Sequence, residues 1–126
     1  MKISTTICLG MILLISVGGC KHKITAGDKH KLARPKMVVI EDAIIQFLFD
    51  CGRYPVSLEG LLKPPAGLEG KWNGPYIEAS QLLDPWGKKY IYVPEGKVNQ
   101  DSFDLISYGA DGTPGGEGDD KDIYND

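Results

Sequence analysis

The sequence predicts one small α+β domain in which an amphipathic helix packs on an antiparallel pair of strands. Three observations predict this fold: a helical stripe of apolar residues, two alternating strand patterns joined by a polar connection, and many turn residues. The chain has 126 residues, of which 42% are hydrophobic and 25% charged, with 16 Gly and 8 Pro. This composition is typical of a globular domain and argues against wholesale disorder, a multi-span membrane protein or a collagen-like fibre.

The first twenty residues predict an export signal. A positive start at Met1 and Lys2 precedes a mainly apolar run over residues 3–17, which is too short for a membrane-spanning helix of about 20 residues. Residues 17–20 read VGGC and resemble a bacterial lipobox, in which the Cys is acylated after cleavage. We therefore predict a lipoprotein signal peptide over residues 1–19. A lipid anchor at Cys20 would hold the protein on a membrane of the cell envelope, facing the periplasm or the exterior. The alternative is an ordinary secretory signal with an incidental Cys.

Residues 21–35 predict a flexible tether between the anchor and the domain. The segment is rich in Lys and Arg and has no apolar period, so its residues, including His22 and His30, are expected to be solvated. Pro35 closes it. We therefore assign residues 20–35 to the lipidated Cys with its tether and residues 36–126 to the globular domain.

The clearest helix pattern lies over residues 36–51. Its apolar residues recur at spacings of three and four, which places them on one helical stripe. The stripe comprises Met37, Ile40, Ile44, Phe47, Leu48 and Cys51. Gly52 follows at the position where Gly commonly ends a helix. We expect Ile44 and Phe47 to be buried against the strand pair.

Shorter elements follow the helix. Ser57 is placed to cap a short helix that continues to Leu62. Residues 84–87 read DPWG and predict a turn in which the Asp84 carboxylate braces its own backbone. Residues 89–93 and 103–108 have strand patterns and predict an antiparallel pair.

Several classes of chemistry are excluded by the residues present. Cys8 leaves with the signal and Cys20 carries lipid, so Cys51 is alone and predicted to be a small core residue. No Cys/His cluster has the spacing of a zinc site, and neither Ser57 nor Ser107 has a His base outside the tether. The net charge of −3 argues against a nucleic-acid binder. We therefore expect neither an enzyme nor a protein with a small-molecule substrate.

Several short motifs follow one another between residues 49 and 123. They read FDCGRYP at 49–55, LEGL at 58–61, GPYI at 74–77, DPWGKKY at 84–90, FDLISYGADG at 103–112 and GGEGDDKDI at 115–123. In this order they resemble the signature of the major pseudopilin of the type II secretion system. The resemblance implies a long N-terminal helix packed on a small antiparallel sheet, with a C-terminal calcium-binding loop. It also implies a structural, non-enzymatic role in type II secretion or a related envelope assembly.

The N-terminal region departs from the pseudopilin pattern. Pseudopilins carry a prepilin-peptidase site and a spanning helix that runs into the domain, whereas this sequence has a lipobox, a polar segment and Pro35. The resemblance is therefore expected to cover the globular domain. The implied partners are the membrane, through the lipid anchor, and other pseudopilin or secretion-system proteins. The alternative function is a calcium-stabilised periplasmic binding or adaptor lipoprotein that reuses the fold.

The C-terminal residues 101–126 concentrate eight carboxylates against one Lys. From the residues alone, two interpretations stay open: a solvated acidic tail, or a calcium site whose carboxylate and carbonyl oxygens converge in a Gly-rich loop. The resemblance implies the calcium site, and with calcium bound the chain end is expected to dock beside the second strand. The implied ligands are Asp111, two of Asp119, Asp120 and Asp122, and the backbone carbonyls of Ile106 and Tyr108.

Overall fold

The structure, a computed structural model, describes residues 23–126. The predicted signal peptide over residues 1–19, Cys20 and His22 lie outside the described residues. The described elements are helix α1 (Ala26–Cys51), strands β1 (Ile91–Val93), β2 (Asp104–Ser107) and β3 (Ile123–Tyr124), and 3₁₀ turns at Leu58–Leu61, Ala79–Leu82 and Gly118–Asp120. None of the helices formed by residues 23–126 has the length and apolar character needed to span a membrane. The predicted α+β fold is confirmed.

Helix α1 begins at Ala26, ten residues before the predicted start at residue 36. A capping box starts it: the Thr25 hydroxyl accepts the Asp28 backbone N–H, and the Asp28 carboxylate accepts the Thr25 backbone N–H at 3.0 Å. Ala33 continues the apolar stripe toward the N-terminus and is fully buried. The tether prediction is therefore wrong over residues 26–35, and the globular domain starts before residue 36.

Pro35 lies inside α1 and does not end it. Its ring removes one backbone hydrogen bond, but the surrounding turns are fixed by tertiary contacts. The Tyr90 hydroxyl donates to the buried Ala33 carbonyl at 2.9 Å. At the other end, Gly52 takes a left-handed φ of 75°, and its N–H donates to the Leu48 carbonyl, as the sequence predicts.

The apolar stripe of α1 forms one half of the core. Ile44 and Phe47 are fully buried, which confirms the predicted inward face. The other half comes from the sheet and the chain beside it, and it includes Tyr90, Phe103, Leu105 and Ile123. Burial of a side chain such as Phe47 contributes about 1.5–3 kcal/mol. This packing holds the sheet, and the loop that leaves it, against the helix.

The sheet has the order β1-β2-β3 and is antiparallel throughout. The predicted pairing of the first two strands is confirmed, with Tyr92 opposite Leu105. The sequence does not predict β3, because two residues are too few to show an alternation. In β3, Ile123 lies opposite Ser107. The chain between β2 and β3 is therefore held at both ends on neighbouring strands.

One short element differs from its prediction. The segment after Ser57 is a single 3₁₀ turn at Leu58–Leu61 rather than a helix through Leu62. Ser57 occupies the N-cap position, but its side chain makes no capping hydrogen bond. Leu58 and Leu61 are buried, so the turn is fixed by core packing.

Candidate functional site

The acidic loop, residues 108–122, connects β2 to β3 and is closed by its own backbone. The Ala110 N–H donates to the Asp119 carbonyl at 2.8 Å. Gly109 has a φ of 70°, and a Cβ at this position would lie 2.5 Å from the same carbonyl oxygen. Only Gly tolerates both the backbone conformation and the close approach. The two limbs of the loop therefore meet at a point next to the end of β2.

Asp111 lies on the first limb and is exposed. Its Oδ1 accepts the backbone N–H of Thr113 at 3.0 Å, and its Oδ2 accepts the Thr113 hydroxyl at 2.9 Å. These two bonds, the backbone one first, hold the pKa of the Asp111 carboxyl below its ordinary value. The side chain is therefore ionised at neutral pH and available as an oxygen ligand.

Asp119, Asp120 and Asp122 lie on the second limb and are half-buried. Asp122 uses one oxygen, Oδ2, to accept the Gly115 N–H at 2.9 Å. Its other oxygen, Oδ1, is buried and has no hydrogen-bond partner among residues 23–126. Because an unpaired buried carboxylate oxygen is costly, this atom is where the loop most needs a donor or a cation.

The two predicted carbonyl ligands are placed differently. The Leu105 carbonyl accepts the Asn125 N–H at 3.2 Å, so it faces the β3 side of the sheet. Carbonyls of consecutive strand residues alternate in direction, so that of Ile106 faces β1. Tyr108 lies past the end of β2, directly before Gly109 at the start of the acidic loop. Tyr108 is therefore the better placed of the two.

Tyr108 and the four predicted Asp ligands thus lie in one loop, with Ile106 on the adjoining strand β2, and the structure does not gather the carboxylates at one point. Within residues 23–126, no group of three or more His, Cys, Asp or Glu side chains stands close enough to hold a metal ion. What the loop offers is oxygen ligands of the type that calcium prefers, the unpaired Asp122 oxygen, and a backbone closure that fixes the ends of both limbs.

A buried network joins the DPWG turn to the acidic loop. Asp84 is 4% exposed, and its Oδ1 accepts the backbone N–H groups of Trp86 at 3.0 Å and Lys88 at 2.9 Å, as predicted for a carboxylate that braces its own turn. Its Oδ2 accepts the Ser107 hydroxyl at 2.7 Å, and that hydroxyl oxygen accepts the Gly109 N–H. The sequence does not predict the link from Asp84 to Ser107. This link shows that Ser107 is a structural residue rather than a nucleophile.

The sequence also does not predict the contact that Lys88 makes with the acidic loop. The Lys88 Nζ donates to the Ala110 carbonyl at 2.7 Å, so the residue that follows the DPWG turn places a positive charge against the first limb of the acidic loop. The only signal in the sequence is the position of Lys88 directly after the turn, and this does not reveal the contact.

The other side of the loop borders the N-terminal half of α1. A cleft of about 410 Å³ lies between them, and its lining includes His30, Lys121 and Asp122. The prediction that His30 is solvated is wrong, because α1 extends through this residue and turns its ring edge-on to Trp86, with 6.2 Å between ring centroids. Arg34 forms an ion pair with the Asp126 carboxylate and donates to the Tyr124 carbonyl at 3.3 Å. These bonds tie the residues after the loop to the helix.

Comparison with known families decides the identity of the domain. The profile of the family "Type II secretion system (T2SS), protein G" matches residues 23–126. The chain belongs to this family. The match includes residues 26–35, which the sequence alone assigns to the tether. It also confirms the predicted resemblance of the globular domain to the major pseudopilin.

Similar proteins agree with the assignment to the protein G family. A type II secretion system core protein G of Xanthomonas campestris is 40% identical over 95 residues, which cover 75% of this chain and 64% of the relative. The core protein G of Vibrio cholerae is 34% identical over 108 residues, covering 79% and 72%. This protein G family member thus spans less than two thirds of the length of the Xanthomonas relative.

The fold agrees as well. The crystal structure of the major pseudopilin from the type 2 secretion system of enterohaemorrhagic Escherichia coli superposes with a TM-score of 0.59 at 30% identity, covering 82% of this chain and 94% of that one. The protein G family consists of structural, non-enzymatic components of the cell envelope. The expectation of a structural protein rather than an enzyme therefore rests on the family.

Proposed function

We propose that this protein is a lipid-anchored, calcium-stabilised structural component of type II secretion or of a related envelope assembly. The observation that carries the proposal is the family match over residues 23–126 together with the fold shared with a major pseudopilin. The alternative, a separate binding or adaptor lipoprotein, is not favoured by these comparisons. As a component of type II secretion, the protein would have other pseudopilin or secretion-system proteins as its partners.

The lipid anchor is supported by the lipobox-like residues 17–20. The number of residues between Cys20 and α1 determines how far the domain could lie from the membrane. Ala26, the first residue of α1, lies six positions after Cys20, which corresponds to at most about 21 Å of extended chain. An acylated Cys20 would therefore hold the start of α1 close to the membrane surface. The predicted fifteen-residue tether would have allowed a larger distance between the domain and the membrane.

The calcium site is supported by the chemistry of the acidic loop. Asp122, with its unpaired buried Oδ1, and Asp111 would supply carboxylate oxygens, with Asp119 or Asp120 as a third and the Tyr108 carbonyl at the first limb. Bound calcium would neutralise carboxylates that otherwise repel one another. The chain's own part is to hold the two limbs together through the bond from the Ala110 N–H to the Asp119 carbonyl.

A secretion assay tests the structural role. The gene is deleted in its host, and the amount of a type II substrate in the medium is measured. We expect secretion to be lost on deletion, restored by the wild-type gene, and restored less well by Cys20→Ser. Cross-linking in the complemented strain should recover other secretion-system proteins. Normal secretion in the deletion strain would contradict the proposal, provided that deletion of another core secretion gene abolishes secretion.

Mass spectrometry tests the anchor directly. The protein extracted from membranes should begin with an acylated Cys20. Cys20→Ser should leave the membrane fraction. A soluble wild-type protein with an unmodified N-terminus near residue 21 would show an ordinary secretory signal instead.

A further inference from the structure

Lys88 crosses the start of the acidic loop and contacts it through both its charge and its methylene groups. Its ammonium donates to the Ala110 carbonyl at 2.7 Å. Its methylenes lie on Gly112, where a Cβ would come within 2.7 Å of Cδ and Cε of Lys88. The side chain therefore fits against backbone on the first limb, in a space that a larger residue at position 112 would occupy.

The base of this side chain is fixed. The Lys88 backbone N–H donates to the buried Asp84 at 2.9 Å, and Asp84 in turn accepts the Ser107 hydroxyl. The ammonium is thus presented to the loop from a turn whose backbone is hydrogen-bonded to the buried Asp84. Among the described residues, the ion pairs within 4.0 Å are those of Arg34 with Asp126 and of Lys89 with Glu59, so Lys88 is not held by a direct carboxylate partner.

The ammonium of Lys88 lies next to a segment of the chain that is strongly negative. Residues 108–126 carry six carboxylates and one other cation, Lys121. Lys88 reaches the carbonyl of Ala110, the residue directly before Asp111, with its ammonium at 2.7 Å. A positive charge at this point offsets part of the repulsion that the loop suffers without a metal ion.

We propose that Lys88 is an internal cation of the acidic loop, which holds its first limb in the metal-free protein and opposes calcium binding electrostatically. The second half of this inference rests on the proposed calcium site, whereas the first half does not. Lys88 would thus set the calcium concentration at which the loop responds. Its charge stabilises the empty loop, and it repels a divalent ion bound nearby.

The test compares Lys88→Met with a charge-preserving variant, Lys88→Arg, and with Lys89→Met as the matched control. Lys89 is the next residue, and within residues 23–126 it forms one ion pair, an exposed one with Glu59 at 3.5 Å. Thermal unfolding in EGTA should show a melting temperature several degrees lower for Lys88→Met, with Lys88→Arg and Lys89→Met close to wild type. Calcium titration of the folded proteins should show roughly threefold to tenfold tighter binding for Lys88→Met. The difference should narrow at 0.5 M salt, because screening weakens the repulsion.

Each outcome decides part of the inference. Equal melting temperatures of Lys88→Met and Lys89→Met in EGTA would overturn the role of Lys88 in the metal-free loop. Weaker calcium binding by Lys88→Met would overturn the electrostatic opposition and show that Lys88 only positions the loop. Absence of calcium binding by the wild-type protein would refute the proposed site, and the comparison in EGTA would still decide whether Lys88 stabilises the empty loop.

Discussion

Asp104, the first residue of β2, is the buried carboxylate that organises the connection from β1 to β2. It is 1% exposed, and its two oxygens accept four donors within 3.1 Å. Three are backbone N–H groups, of Lys97 at 2.7 Å, Val98 at 3.0 Å and Asn99 at 2.8 Å. The fourth is the Asn99 side-chain amide at 3.1 Å. One ionised side chain thus satisfies the backbone of a whole turn.

Asp104→Asn should destabilise the fold strongly. The substitution replaces one acceptor oxygen with an NH₂ group, which leaves buried N–H donors facing another donor. Bonds to a charged acceptor contribute about 1.5–3 kcal/mol each, and an unpaired buried donor costs about 1–3 kcal/mol. We therefore expect the free energy of unfolding to fall by about 3 kcal/mol. This corresponds to a decrease in melting temperature of about 12–24 °C for a domain of this size.

Urea unfolding followed by Trp fluorescence measures the change, and Asp101→Asn is its control. Asp101 is exposed and has a φ of 64°, a left-handed conformation that Asn also tolerates. We expect the control to stay within about 0.5 kcal/mol of wild type. If Asp104→Asn also stays within that range, the hydrogen bonds to its carboxylate do not stabilise the domain and the reasoning fails.

The stability difference between wild type and Asp104→Asn should also depend on pH, in a direction that follows from the pKa of Asp104. Burial by itself raises the pKa of the Asp104 carboxyl, but the N–H groups of Val98, Asn99 and Lys97 outweigh it and hold the pKa below its ordinary value. A lowered pKa in the folded state contributes stability above the unfolded value of about 3.9, and this stability is lost as the pH falls through the folded value. The stability gap between wild type and Asp104→Asn should therefore be constant from pH 5 to 7 and should shrink below about pH 4. A gap that persists unchanged at pH 2 would contradict this.

Two further pairs of variants test the core and the closure of the acidic loop. Phe47→Ala should cost about 3–5 kcal/mol because the ring is fully buried, whereas Phe49→Ala, at 82% exposed, should change stability by less than about 0.5 kcal/mol in the same urea assay. Gly109→Ala should cost at least about 2 kcal/mol more than Gly115→Ala. Both Gly residues have positive φ, but only at Gly109 would the Cβ meet backbone, 2.5 Å from the Asp119 carbonyl. Equal losses within either pair would refute the corresponding contact.

The fold was predictable where a pattern is local and long. The stripe of α1 and the end of the helix at Gly52 follow from spacing and a single Gly. The first ten residues of α1 were missed because Pro35 and the density of Lys favoured a tether. The capping box of Thr25 and Asp28, three residues apart, is the signal that indicates the true start. Buried Ala33 shows that tertiary packing overrides the local effect of Pro35.

The sequence indicates which loop is the candidate site, but not the contacts within that loop. Carboxylate density and motif order indicate the predicted carboxylate ligands, which lie in the loop that the structure closes between β2 and β3. The unpaired oxygen of Asp122 and the reach of Lys88 to the Ala110 carbonyl depend on how distant segments pack. A loop without periodicity carries no sequence signal for such contacts.

Thermal unfolding in EGTA, in 1 mM calcium and in 1 mM magnesium tests the central claim, that the acidic loop is a calcium site. Sites of extracellular type bind calcium at about 0.1–1 mM, so with a Kd of about 0.1 mM the gain at 1 mM is about 1.4 kcal/mol. We expect calcium to raise the melting temperature by several degrees. Magnesium should do so far less, because it requires octahedral geometry and retains its waters. Asp111→Ala and Asp122→Asn should remain folded in EGTA and lose the calcium shift. A wild-type protein that calcium stabilises no more than magnesium does would show instead that the carboxylates form only a solvated acidic segment.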